Sequence, residues 1–200
     1  MEYSNPTGLP SVSDIMEPFE DTRWFNDFHS YRGDFVHGWI GADLLGLFQP
    51  AVPEQFSGYI KSYLEFKPHI KEVVLVERRL SSKRGYCGQL DTVLLLDEVY
   101  NDCITLVDWK TSKAAYKTWE ARIGGYFGLG IENGIPLKAG ATVRLREEPI
   151  KKGYFPLVNF YNEAEMRENH IDFLCAKRTF ENVLSYGKIY TSYEPIEREY

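Results

Sequence analysis

Four charged residues stand where apolar strands are expected: Glu77, Asp91, Asp108 and Lys110. Asp91 sits inside the apolar run 90–96, and a second run, 103–107, leads into Asp108-Trp109-Lys110. A carboxylate buried among leucines is costly unless a cation or hydrogen-bond donors compensate it, so such residues mark a site. Side chains two apart on a strand share a face, which points Asp108 and Lys110 one way and Trp109 the other. If the two runs pair with Asp91 near Asp108, two carboxylates and one ammonium converge on a small patch. Two hard oxygen ligands, completed by water and substrate phosphate, are a usual way to hold Mg²⁺. Lys110 beside that site would orient a water or stabilise charge developing on a phosphorane. Glu77 on the preceding strand and the Trp109 carbonyl could add further oxygens. This is a constellation for metal-assisted phosphodiester hydrolysis.

The elements that must position these groups follow from periodicity and punctuation. The polar turn Asp97, Glu98, Asn101 and Asp102 between the two runs predicts a β-hairpin. Residues 73–80 read as the strand before it, with Glu77 interrupting the apolar run. Residues 1–14 form an extended lead-in, ending in a short helix capped by Ser11 or Ser13. Residues 31–48, with Ser30 as N-cap, form a helix whose core stripe is Val36, Ile40, Leu44 and Leu47. His37 lies one residue off that stripe. Gly33 and Gly41 flank it on the same face and bare the backbone for a close approach. Pro50 and Pro53 close that helix, and residues 54–67 form a second one. After the hairpin, residues 113–131 are helical, with Gly124, Gly125, Gly128 and Gly130 packed against the sheet. Two more strands, 141–146 and 154–161, and a closing helix at 163–187 complete the order α–α–β–β–β–α–β–β–α. The expected fold is α/β: a single domain, 1–200, with a central mixed sheet flanked by helices.

Composition narrows the function classes. The 44% hydrophobic and 26% charged fractions are those of an ordinary soluble globular chain. No apolar run reaches the ~20 residues that cross a bilayer, and the N-terminus has no secretory signature. Cys87, Cys103 and Cys175 lack CxxC spacing, which argues for a reduced compartment, against zinc or iron–sulfur, and for buried apolar fillers. The chain is therefore expected to be cytoplasmic, without a membrane partner. The net charge of −6 argues against a generic polyanion binder. All of it comes from residues 1–70, whereas Lys110, Lys113, Lys117 and Arg122 are among the basic residues bracketing the hairpin. Metal-holding acids do not repel phosphate, because the ion inverts the local field. A nucleic-acid substrate is thus allowed, and Tyr116, Trp119 and Tyr126 could stack on unpaired bases.

Gly88-Gln89-Leu90-Asp91 followed by Leu106-Val107-Asp108-Trp109-Lys110-Thr111 resembles the PD-(D/E)XK nuclease superfamily, in its RecB-like, phage-type exonuclease branch. Arg32-Gly33-Asp34-Phe35-Val36-His37 is similar to that branch's RGxxxH helix, and Leu9-Pro10-Ser11-Val12 to its PSVT lead-in. The resemblance implies a restriction-endonuclease-like core in which Asp91 and Asp108 hold Mg²⁺ or Mn²⁺. Lys110 is then the catalytic lysine, and His37 and Glu77 complete the site. It also implies a DNA substrate, taken as single strands or ends, in recombination, repair or replication of a phage or similar element. A single-strand-binding or annealing protein would be the partner. The branch carries Gln-x-x-x-Tyr on the helix after the hairpin, and here Arg122 stands in the Gln position ahead of Tyr126. Arg122, Tyr126, Lys113, Lys117 and Trp119 are the expected DNA contacts. A structure-selective endonuclease and a non-cutting DNA-binding module are the alternatives.

Overall fold

The computed structural model describes residues 8–20, 26–150 and 153–190, with side chains as far as 183. Residues 1–7 of the expected lead-in and the Leu184 side chain of the closing helix lie outside the described residues. Strands β1 (Ile70–Ser82), β2 (Tyr86–Leu96), β3 (Ile104–Lys110), β4 (Ala139–Arg144) and β5 (Leu157–Asn162) form one sheet in sequence order. All neighbours are antiparallel except β3 and β4, which are parallel and joined through helix α4 (Thr118–Glu132). A parallel pair needs such a crossover, because a tight turn cannot return the chain to the same end.

Both faces of the sheet are covered. Helices α1 (Val12–Met16), α4 and α5 (Glu163–Tyr190) cover one face, over Leu90, Val93, Leu106, Ile123, Phe127 and Phe173. Helices α2 (Asp27–Leu44) and α3 (Ser57–Phe66) cover the other, over Leu94, Val107, Trp109, Ala141 and Val143. This is the α/β architecture expected from the sequence, a mixed sheet flanked by helices. Among the described residues no helix is long and apolar enough to cross a membrane.

Several local readings need correction. Helix α2 starts four residues early, because Asn26 rather than Ser30 accepts from the His29 amide at 3.2 Å. It ends at Gly46, not at the prolines. Gly46 has φ 66°, its amide donates to Asp43 O, and the Leu47 amide donates to Ala42 O. That pattern is a Schellman stop, and it throws Leu47 out of the core stripe to an exposed position. Ser11 is the cap of α1, in a reciprocal box with Asp14. Residues 112–117 are loop, and α4 begins only at Thr118. Cys87 is a buried filler, but Cys103 is half-buried and Cys175 exposed.

Three of the four α4 glycines, Gly124, Gly125 and Gly128, pack against α5 rather than the sheet, while Gly130 faces Leu90 and Leu137. A Cβ at Gly124 would collide with the α5 backbone at Asn169 and His170, and one at Gly128 would collide with the His170 ring. The helices therefore touch backbone to backbone, and His170 Nδ1 lies 3.0 Å from Gly124 O. Gly124→Ala gains ~1 kcal/mol of helix propensity. Overpacking costs up to about 3 kcal/mol, so a net loss of about 2 kcal/mol is expected in denaturant unfolding.

Candidate active site

The hairpin register brings the two acids together. The ladder ends at Thr92↔Val107, so the next residues along the two strands are Asp91 and Asp108, and both line one cavity. Regular pairing stops there on both sides, since the β1 ladder also passes from Val76↔Thr92 to Arg78↔Leu90. Strand alternation breaks at the same point. Leu90 and Val93 belong to one core cluster, while Thr92 accepts from Trp109 Nε1 at 3.1 Å, on the opposite face. Asp91 thus occupies a local opening of the sheet, and its carboxylate is freed from the ladder to reach sideways. Its Oδ2 accepts from the Trp109 amide at 3.0 Å and lies 3.5 Å from His37 Nδ1.

Asp108 and Lys110 share a face as expected, with Lys110 Nζ 2.6 Å from Asp108 Oδ2. This is a close ion pair, with the carboxylate almost wholly buried and the ammonium at the cavity edge. Lys110 Nζ also lies over the Trp119 ring, 5.6 Å from its centroid. The Trp109 side chain faces away, buried edge-on between Tyr63 and Phe66. It anchors the strand, and only its backbone serves the site.

His37, Asp91, Asp108, Trp109, Lys110, Trp119, Arg122 and Tyr126 all line one open cavity of about 1010 Å³. Helix α2 supplies His37 and, one turn earlier, Gly33, where a side chain would meet only open space. At Gly41, one turn later, the close approach is made by Val76 and Glu77.

Not every expected residue arrives. Glu77 stands opposite Asp91 with φ 45°, exposed and outside the cavity lining. This left-handed backbone swings its carboxylate towards Gly41 instead. Lys117 is exposed at the start of α4 and does not line the cavity. Lys113 belongs to a second cavity, where it pairs with Glu147 at 3.1 Å. Trp119 is buried beneath Lys110, so it holds the lysine rather than offering a face for stacking. Arg122 is held by Glu20, Nη2 to Oε2 at 2.7 Å.

Two functional partners had no sequence signal. Arg32 is buried, donates to Thr111 Oγ1 at 3.2 Å and lies over the Tyr59 ring. Glu20 reaches Arg122 across 102 positions of chain. Arg32 was detectable only as the first residue of the RGxxxH-like stretch, and Glu20 not at all.

The charges pull one another away from their ordinary behaviour. Burial raises the Asp108 carboxyl, and repulsion from Asp91 adds to the rise against the opposing pull of Lys110. Burial pushes the same way at Asp91, but His37, Lys110 and the Trp109 amide outweigh it and leave that carboxyl lowered. Burial would lower His37, yet attraction to Asp91 and the hydrogen bond its ring donates to that carboxylate leave it raised. Burial pushes the Tyr126 phenol up to about 12, so it remains neutral beside the Ser13 hydroxyl. The two carboxylates are thus driven apart, a common signature of a working site.

The His37–Asp91 pair makes stability depend on pH. A raised histidine stabilises the fold fully below its unfolded value of 6.5 and loses that contribution as pH rises through the folded value. The Asp91 contribution is present above 3.8 and lost as pH falls through its lowered folded value. In metal-free protein, the destabilisation caused by His37→Ala is therefore expected to be largest near pH 5–6 and to shrink towards pH 8.5. Unfolding free energies across that range check it, and a constant difference would contradict the pairing.

The donor set suits one kind of ion. Two carboxylates, Asp91 and Asp108, lining one open cavity fit a hard divalent cation that keeps its waters. No group of three or more His, Cys, Asp or Glu among the described residues could hold a metal alone.

Comparison with known proteins finds no matching sequence family and no matching curated protein. Among solved structures, the chain is similar to LHK-Exo, determined in complex with dAMP. That likeness covers 92% of this chain and 94% of that one, at 12% identity and a TM-score of 0.41. It is also similar to a phage-related exonuclease from Haemophilus somnus 129PT, over 89% and 96% of the two chains, at 9% identity and a TM-score of 0.36. Likenesses this distant assign no chemistry, so function must be argued from the site.

Proposed function

We propose that this chain is an Mg²⁺- or Mn²⁺-dependent deoxyribonuclease of the PD-(D/E)XK type that hydrolyses phosphodiester bonds from DNA ends. The observation that carries the reading is the buried Asp108, with Lys110 at 2.6 Å and Asp91 lining the same cavity. Asp91 and Asp108 would hold the cation. When bound, it supplies a Lewis acid for the phosphate and lowers the pKa of a water.

The other groups bind, orient and hold charge. The Trp109 amide and His37 fix the Asp91 carboxylate, so that it needs no reorganisation when substrate arrives. Lys110 keeps a positive charge beside Asp108, over the Trp119 ring, where negative charge grows on the scissile phosphate. Arg32, fixed by Thr111, places a second cation on the cavity wall. An end rather than an internal bond is favoured by the segment from Ser11 to Glu20. Its Ser13 and Glu20 line the cavity and are tied to α4 through Tyr126 at 3.4 Å and Arg122 at 2.7 Å.

The test is digestion of end-labelled single- and double-stranded DNA, with Mg²⁺ or Mn²⁺ and with chelator, beside a covalently closed circle. Cation-dependent loss of the linear substrates and survival of the circle are expected. Cutting of the circle would make the enzyme an endonuclease, and DNA binding without any cutting would make it a non-cutting module.

A further inference from the structure

We propose that the cavity beyond Thr111 and Ser112 is a phosphate subsite, in which Arg144 and Arg146, with Lys113, take the backbone of a strand whose adjoining nucleotides fill the catalytic cavity. The proposal rests on the nuclease reading above. The catalytic cavity cannot carry a run of phosphates by itself. Six carboxylates line it against three Lys or Arg side chains, and one of those three, Arg122, is held by Glu20. A cation at Asp91 and Asp108 offsets only that pair. The rest of the polyanion needs positive surface within reach.

That surface adjoins the site. A second open cavity of about 300 Å³ shares Thr111 and Ser112 with the first, and its three cations outnumber Glu147 and Glu148. The sheet fixes the distance. Lys110 pairs with Arg144 in the parallel β3–β4 register, and the Leu145 amide donates to Lys110 O at 2.8 Å. Paired residues of parallel strands point to the same face, about 4.8 Å apart. Arg144 is therefore the next cation along the face that carries Asp108 and Lys110.

Both guanidiniums are anchored by backbone carbonyls. Arg144 Nη1 donates to Lys113 O at 3.0 Å, and Arg146 Nε donates to Phe155 O at 2.7 Å. Glu147 pairs with the exposed Lys113 instead of either arginine. A planar guanidinium fixed at one edge presents its remaining N–H groups in the fork that grips phosphate bidentately.

The experiment pairs a long probe with a short one. Affinity for a labelled single-stranded oligonucleotide of about 20 nucleotides is measured by anisotropy in Ca²⁺, over a range of salt. Hydrolysis of thymidine 5′-(4-nitrophenyl phosphate), too small to span both cavities, is measured in Mn²⁺. Arg146→Gln and Arg146→Glu are the main variants, because Arg144 also holds the Lys113 loop, and Arg144→Lys is the conservative control. Arg146→Glu is expected to weaken oligonucleotide binding at least about tenfold. It should also reduce the salt slope by about 0.7 for each phosphate no longer neutralised, with ester hydrolysis unchanged within about twofold. Unchanged oligonucleotide affinity would overturn the subsite, as would a parallel fall in ester hydrolysis. A parent that binds no oligonucleotide also overturns it, even while cleaving the ester. Binding that depends on Arg146 with neither substrate hydrolysed would instead sink the nuclease reading and leave the subsite standing.

Discussion

Asp108→Asn is expected to lower cation-dependent DNA cleavage by at least about a thousandfold, equivalent to about 4 kcal/mol of transition-state stabilisation, while leaving the fold within about 1 kcal/mol of the parent. The two halves of that result have one cause. Asp108 is 5% exposed, and burial with repulsion from Asp91 already raises its carboxyl. The fold therefore gains little from the negative charge, which is retained at a cost in stability, as at many functional sites. Asparagine keeps the volume and discards the charge. Lys110 does not become a stranded cation, since it lies over the Trp119 ring at the edge of an open cavity. Steady-state cleavage and urea unfolding of the same preparation check both halves. A variant that keeps its activity would remove Asp108 from the mechanism, whereas one that unfolds would make its role structural.

Lys110→Ala is expected to do the opposite to stability. It strips the ammonium from a carboxylate that stays 5% exposed, and breaking a buried pair from one side costs roughly 3–5 kcal/mol. The open cavity lets water reach part of the pair, so a loss of about 2–3 kcal/mol is expected. The sign with pH follows from Asp108. A carboxyl raised in the fold destabilises it once pH passes the unfolded value of 3.8, and the penalty is complete above the folded value. The Lys110→Ala loss should thus be small near pH 4 and full by pH 8. Asp108→Asn in the Lys110→Ala background should restore most of it, a coupling of about 2 kcal/mol in a double-mutant cycle. Equal losses at both pH values, with no rescue, would show that the lysine acts through its packing on Trp119.

These expectations rest on groups whose placement was legible in the sequence to different degrees. The hairpin and the shared face of Asp108 and Lys110 follow from local alternation, and the structure has both. A mixed sheet was expected, but which pair runs parallel emerged only with the fold, where α4 makes the crossover between β3 and β4. Glu77 could not be read, because a left-handed φ of 45° redirects a side chain that period-2 reasoning points at Asp91. Asn26 and Ser30 are equally good caps on paper, and it is Asn26 that closes a reciprocal box with His29. The pairs Glu20–Arg122 and Arg32–Thr111 join segments 102 and 79 residues apart. No periodicity marks such partners, since they are set by where tertiary packing delivers two polar tips. The hairpin geometry is local and was readable. The walls of the cavity are not local, and they emerged only with the fold.

The most direct test of the central claim is to locate Mn²⁺ by anomalous diffraction in crystals of the parent soaked with the ion. One or two peaks within ligand distance of both the Asp91 and Asp108 carboxylates are expected, absent from Asp108→Asn crystals treated alike. Well-diffracting crystals with no peak at those carboxylates, at Mn²⁺ concentrations that support DNA cleavage, would contradict it.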